Sequence, residues 1–196
     1  PMTTPLAKTP VALSIAGSDP SGGAGIQADL KTFSALGVYG TTVITALTAQ
    51  NTLGVTGVYT IPPAFIVKQA ETLTNDIEVT AAKTGMLGDA VTVATVVAIL
   101  QAHEFGPVVV DPVMVASSGD VLLAPDAVAA VRNLLLPLAT LITPNIHEAA
   151  KLLGETVATT VAEMESQARR LVEIGAHAAL VKGGHALGDM AVDVLV

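Results

Sequence analysis

The chain has no cysteine and no tryptophan, and only two tyrosines and three phenylalanines in 196 residues. Without thiols these residues can form no disulfide, no thiol nucleophile and no Cys-ligated zinc site. Aromatics make up 3% and hydrophobic residues 51%, so the core must be built from Val, Ala, Leu and Ile. That mix suits buried parallel strands covered by Ala-rich helices. Positive charge is also scarce: nine Lys and Arg stand against seventeen Asp and Glu, a formal net charge of −8. Nucleic acid demands clustered Lys and Arg, and no basic run occurs, so no nucleic-acid partner is expected. No apolar run reaches the ~18 residues of a membrane span. The opening PMTTPLAKTP lacks the basic-then-apolar layout of a signal peptide. The expectation is a cytoplasmic protein with no membrane partner.

What is present is a regular alternation. Strand patterns read near residues 11–16, 42–49, 79–83, 107–111, 139–143 and 178–182, with a short extra strand at 55–60. Helical patterns read near 24–36, 63–75, 89–102, 125–136, 145–153 and 160–174. This rhythm predicts a mostly parallel sheet with helices on both faces and right-handed crossovers. No internal repeat of about 20–50 residues interrupts it. One α/β domain accounts for the chain.

The most distinctive segment is AGSDPSGGAGIQADL, residues 16–30, where an apolar strand runs into a glycine-rich turn that opens a helix. Gly17, Gly22, Gly23 and Gly25 would let backbone N–H groups approach a ligand closely. The helix start would favour an anion or polar ring there. Neither standard nucleotide motif fits. The Gly17–Gly22 spacing of a Walker loop is followed by Gly23 and Ala24 instead of Lys and Ser or Thr, and the G-x-G-x-x-G pattern fails at Ala28.

Other unusual residues fall at the carboxyl ends of predicted strands, the edge where open α/β sheets bind ligands. They are Gln50, Gly85 with Met86, Asp111, Asn145 with Glu148, and Lys182 with the glycines after it. Asp29 lies inside the apolar stripe of its helix with Ile26, Leu30 and Phe33, so its carboxylate must be paired, bonded to the glycine turn, or part of a wet pocket. A Gln50 amide could read two adjacent atoms of a nitrogen heterocycle, or merely satisfy a turn. Met86 is either core filler or a pocket wall. Asn145 and Glu148, three apart at a helix start, suit a water-rich Mg²⁺ with Asp111 nearby, or form a helix-capping box. Asp111 could instead simply bond into the turn before Pro112. In VKGGH, Lys182 and Gly184 could hold phosphate oxygens, or form an ordinary strand-to-turn junction. The four histidines, His103, His147, His177 and His185, show no metal spacing, and His103 and His177 read as surface residues.

Six segments carry a resemblance in order along the chain: AGSDPSGGAGIQADLKTFSALGVYG, ITALTAQNTLGV, AKTGML, VVVDPVM, LITPNIHEA and VKGGH. Together they resemble the hydroxymethylpyrimidine/phosphomethylpyrimidine kinases of thiamine biosynthesis, a ribokinase-like family. The resemblance implies a three-layer α/β/α sandwich and ATP-dependent phosphorylation of 4-amino-5-hydroxymethyl-2-methylpyrimidine, then of its monophosphate. It places Gly17, Ala24, Asp29, Thr48, Gln50, Met86 and Val113 at pyrimidine-binding positions. It puts Asn145 and Glu148 in the magnesium and phosphate motif, and Asp111, Asn145, Lys182 and Gly184 near the nucleotide phosphates. ATP, Mg²⁺ and a homodimer are implied with it.

The family's later glycine-rich G-T-G-C-type motif, which forms the anion hole and holds the catalytic residue, has no counterpart here, so no catalytic residue is assigned. The chain stops at DVLV, within what reads as a strand over 191–196. Residues 1–196 are therefore expected to be a single ribokinase-like domain lacking roughly 60–80 residues at its C-terminus. Two alternatives stand beside the pyrimidine kinase: a pyridoxal kinase-type enzyme of the same superfamily, and a non-catalytic pyrimidine-binding protein.

Overall fold

The structure is a computed structural model that describes residues 8–115, 122–184 and 191–196. The first strands and helices are β1 (Val11–Ala16), α1 (Gly25–Ala35), β2 (Tyr39–Ile44), β3 (Ala46–Asn51), β4 (Gly54–Thr60) and α2 (Pro63–Thr74). They are followed by β5 (Ala81–Thr84), α3 (Ala90–Ala102), β6 (Val108–Val110), α4 (Pro125–Ala130) and β7 (Leu141–Ile142). The chain then forms α5 (Ile146–Leu153), α6 (Val161–Glu173), β8 (Leu180–Lys182) and β9 (Asp193–Leu195).

Five strands form a wholly parallel sheet in the order β2-β1-β5-β6-β7. Parallel bridges from Ile142 to Ala179 and from Asn145 to Lys182 carry it on to β8, which pairs antiparallel with β9. The chain leaves β1 toward β2 on one side and returns to β5 on the other. The space above the β1–β5 boundary is therefore a topological switch point, where open α/β sheets leave a crevice.

The core is aliphatic, as the composition requires. Leu13 and Ile15 of β1, Val43 of β2, Val110 of β6 and Ile142 of β7 are fully buried, against Ile66, Val93, Val96, Leu152, Met164 and Leu171 from the helices. Truncating one of these leucines to alanine would cost about 2–5 kcal/mol. Helix α3 is apolar all round (AVTVATVVAILQA), and it packs against α2, α4 and the turn that follows α4. Asp89 caps it, accepting from the Thr92 amide at 2.7 Å.

Three expectations need correction. The strand read near 42–49 is two strands that part at Thr45. β1 ends at Ala16, so beyond Ile44 the chain has no parallel neighbour to satisfy its backbone. It turns instead into an antiparallel hairpin, β3 on β4, with the Thr45 amide bonded to the Ala16 carbonyl and its hydroxyl to the Met86 carbonyl. The helix read near 125–136 is α-helical only to Ala130, then widens into a π turn over Val131–Leu135 and tightens over Leu136–Leu138, where Pro137 cannot extend it. His103 is half-buried against the ring of Phe105, while His177 is exposed as expected. His185 and the opening residues 1–7 lie outside the described residues. Among the described residues no helix is long and apolar enough to cross a membrane.

Candidate active site

The glycine turn is organised by a residue that sequence reasoning passed over. Asp19 is 2% exposed, and its carboxylate accepts from the Ser21 amide (2.9 Å) and hydroxyl (2.7 Å) at Oδ1 and from the Gly23 (3.1 Å) and Ala24 (2.8 Å) amides at Oδ2. Burial alone would raise this carboxyl, but the Ser21 hydroxyl and the three amides hold it below its usual value. The anion at the start of α1 is thus supplied by the chain itself, and the Gly23 and Ala24 amides are spent on it.

Gly25 completes the turn. Its φ is +56°, and a Cβ there would lie 2.5 Å from the Gly17 carbonyl oxygen, which accepts the Ile26 amide. Only glycine allows that approach. The local signal for Asp19 was present in the sequence: an Asp followed by Ser and small residues folds a carboxylate back onto the next amides.

Above the β1–β5 switch point lies a cavity of about 510 Å³. Its wall includes Gly17 and Ala24 from the turn, Asp29 from α1, Gln50 from the hairpin, Met86 after β5, and Asp111 and Val113 after β6. Seven of the positions singled out in the sequence therefore converge on one hollow. A larger hollow of about 630 Å³, lined by Glu78, His103, Phe105 and Leu138 among others, opens at the opposite, amino edge and gathers none of them. We take the carboxyl-edge cavity as the site because polar groups from four separate segments meet there.

Asp29 is neither unpaired nor bonded to the glycine turn. Lys83 of β5 sits 3.1 Å from both of its oxygens, and the Ser14 hydroxyl donates to Oδ2 at 2.6 Å. Ser14 and Lys83 are register partners on adjacent strands, so the sheet itself places both donors under the carboxylate. Lys83 lines the cavity too, and nothing in the sequence pattern had marked it.

Gln50 reaches the cavity from the β3–β4 hairpin, which folds over the sheet edge, not from the end of a central strand as first read. A register shift between Ala49 and Gln50 marks the place. Thr48 does not line the cavity. It is buried, and its hydroxyl donates to the Ser18 carbonyl (2.8 Å) while its amide donates to the Ser18 hydroxyl (3.1 Å), fastening the hairpin to the turn.

The remaining candidates form a second cluster beside the cavity, joined to it through Asp111. Lys182 Nζ lies 3.1 Å from Asp111 Oδ1, where the Thr143 hydroxyl also approaches at 3.4 Å. Asn145 and Glu148 make a complete capping box for α5: the Glu148 amide donates to Asn145 Oδ1 and the Asn145 amide to Glu148 Oε2, both at 2.8 Å. The other Glu148 oxygen accepts from the Met114 amide at 3.3 Å, tying α5 to the segment that carries Asp111 and Val113.

Burial pushes the Glu148 carboxyl up, the Asn145 amide opposes it, the Asp111 charge adds to the rise, and Lys182 and the Met114 amide oppose it again; the net is a raised value. Gly184 follows β8 with nothing against the position its Cβ would take. Among the described residues no group of three or more His, Asp or Glu is arranged to hold a metal by itself.

A family model described as phosphomethylpyrimidine kinase matches residues 19–196. A hydroxymethylpyrimidine/phosphomethylpyrimidine kinase from Rhizobium meliloti is 55% identical over 95% of this chain, and the chain spans 70% of that protein. One of the same description from Escherichia coli is 55% identical over 89% of this chain and 65% of its own length. Among solved structures, phosphomethylpyrimidine kinase from Clostridium difficile superposes with a TM-score of 0.88 at 46% identity, covering 96% of this chain and 80% of that one. Pyridoxal kinase from Staphylococcus aureus in complex with pyridoxal gives 0.86 at 35% identity, covering 96% of this chain and 69% of that one.

Proposed function

The chain belongs to the phosphomethylpyrimidine kinase family, whose relatives act in thiamine biosynthesis, and from that premise we propose that it takes part in ATP-dependent phosphorylation of 4-amino-5-hydroxymethyl-2-methylpyrimidine and then of its monophosphate. The observation that carries the reading is the convergence of Gly17, Asp29, Gln50, Met86 and Asp111 on one cavity that adjoins Lys182 and Asn145. The Gln50 amide pairs with a donor and an acceptor on one edge of the ring, and Met86 and Val113 supply its apolar walls. Ala24 lines the wall beside Gly17, and Thr48 acts behind these contacts by holding the hairpin.

The hydroxymethyl oxygen then faces Asp111 and the second cluster. Its oxygen forms a bond to the γ-phosphorus of ATP, the bond from that phosphorus to the ADP oxygen breaks with ADP as the leaving group, and the hydroxyl proton passes to water. Positioning and charge stabilisation do most of the work in such a transfer. Lys182 serves as the point charge for the phosphates, with the Gly184 backbone beside it.

A Mg²⁺ ion fits this donor set only as a water-rich ion on the nucleotide. Both contacts to Asp111 from the described residues fall on Oδ1, leaving its Oδ2 without one, whereas the Glu148 oxygens and Asn145 Oδ1 already accept amides. Asp111 would meet its waters, with Asn145 and Glu148 behind, and when bound the ion neutralises phosphate charge. A homodimer belongs to the same reading, supported by the exposed apolar residues Leu47, Leu53, Val58 and Tyr59 of the hairpin. A cytoplasmic location completes it.

The test is a titration of this chain with the pyrimidine alcohol and with Mg-ATP, together with phosphorus NMR of the mixture. The reading expects both to bind, and the monophosphate and diphosphate to appear where the chain is extended to the length of its relatives. Binding of pyridoxal in clear preference to the pyrimidine would overturn the substrate assignment.

A further inference from the structure

The cavity wall holds one cation among the described residues, and neither the capping networks nor the phosphate cluster uses it. Lys83 projects from the middle of the sheet, its side chain 22% exposed beside Asp29 at 18%. Its ammonium lies 3.1 Å from each Asp29 oxygen, and Asp29 is fixed in turn by the Ser14 hydroxyl at 2.6 Å. A Cβ on Gly85 would come within 3.3 Å of Lys83 Nζ, so the amine lies directly over the cavity floor, where Gly85 leaves it room.

An ammonium has three N–H donors. The Asp29 oxygens take at most two, and no other acceptor for Lys83 is present among the described residues. One donor is left, on a side chain that lines the hollow.

Gln50 faces the same hollow from the hairpin, a different layer of the molecule. A side-chain amide spans only two adjacent atoms, so it reads one edge of a pyrimidine. The second ring nitrogen lies across the ring, and it is an acceptor.

We infer that Lys83 is a specificity-determining residue of this site, donating its remaining N–H to the ring nitrogen that Gln50 does not read, with Asp29 and Ser14 holding it in place. The inference rests on the pyrimidine reading above. It predicts selection for a diazine over a ring with carbon at that position, because a fixed charged donor left without an acceptor is unfavourable.

The experiment is a double cycle of protein and ligand, read by calorimetric titration of the chain. The ligands are the aminopyrimidine alcohol and its two aminopyridine analogues, in each of which one ring nitrogen is replaced by CH. Wild-type protein should bind one of these analogues about tenfold or more weakly than the parent on account of Lys83, the scale of a hydrogen bond to a charged donor. In Lys83→Met that discrimination should collapse to within about twofold while discrimination at the other nitrogen persists.

If Lys83→Met does not fold, as judged by circular dichroism, Lys83→Met combined with Asp29→Asn removes the stranded charge, and the same collapse is expected. Wild-type binding with unchanged discrimination at both nitrogens in either folded variant overturns the Lys83 assignment alone. A wild-type chain that binds none of the three ligands overturns the pyrimidine reading itself.

Discussion

Two buried carboxylates stand at the starts of two helices on the same rim of the sheet, yet their surroundings shift them in opposite directions from their ordinary values. Asp19, ahead of α1, is 2% exposed, and Glu148, in the first turn of α5, is 6% exposed. Burial works against the charged form of both. At Asp19 a hydroxyl and three amides outweigh it and the carboxyl ends below its usual range. At Glu148 two amides and Lys182 face the added repulsion of Asp111, and the carboxyl ends above. A helix start does not by itself fix a carboxylate's charge; the number of donors and the sign of the nearest ion decide. The first arrangement closes a stiff turn against the cavity. The second leaves a crowded negative pair beside one lysine, a place suited to a cation carried in on a nucleotide.

Asp19→Ala would break this comparison most severely. Four donors lose their acceptor within one turn, and a destabilisation of about 3 kcal/mol or more is expected from stranding buried polar groups. Denaturant unfolding measures it; a loss below about 1 kcal/mol would show that the glycines hold the turn without the carboxylate.

The pH dependence sharpens the contrast. Asp19, lowered from 3.8, contributes stability that is present above that value and is lost as pH falls through its lowered one. Glu148, raised from 4.5, contributes stability that is complete below that value and is lost as pH rises through its raised one. Asp19→Asn should therefore remove an acid-side loss, and Glu148→Gln should flatten a decline on going from pH 4.5 toward neutrality. Unfolding curves at pH 3, 4.5 and 7 give both slopes; a steeper decline in Glu148→Gln would contradict the assignment.

The smallest effect concerns Thr48, which braces the hairpin without lining the cavity. Thr48→Val should cost about 1 kcal/mol of stability, for one lost hydrogen bond at Ser18. It should leave the affinity for the pyrimidine alcohol within about twofold, and a larger drop would show that its hydroxyl, 3.4 Å from Gln50 Oε1, positions that amide or touches the ligand.

Much of this architecture was legible from periodicity, because buried parallel strands and capped helices each leave a local pattern. β1, α2, α3, α5 and α6 fall within a residue or two of where the sequence puts them. Other features are set by distant partners and leave little local trace. The break at Thr45 depends on where β1 ends, which no local window can report. Lys83 looks like an ordinary strand residue until Ser14 and Asp29 are brought beside it by register. The N-x-x-E spacing fits a capping box and a metal motif equally, and the structure displays the capping box in full while both residues remain next to Asp111 and Lys182.

The central claim is that Gln50, carried on a hairpin outside the main sheet, recognises the ring in a cavity formed by the carboxyl ends of β1, β5 and β6. Calorimetric titration of the aminopyrimidine alcohol into the wild-type chain and into Gln50→Ala tests it directly. A weakening of about 1–3 kcal/mol in the variant, with the fold intact, is the expected result. An unchanged dissociation constant would contradict it.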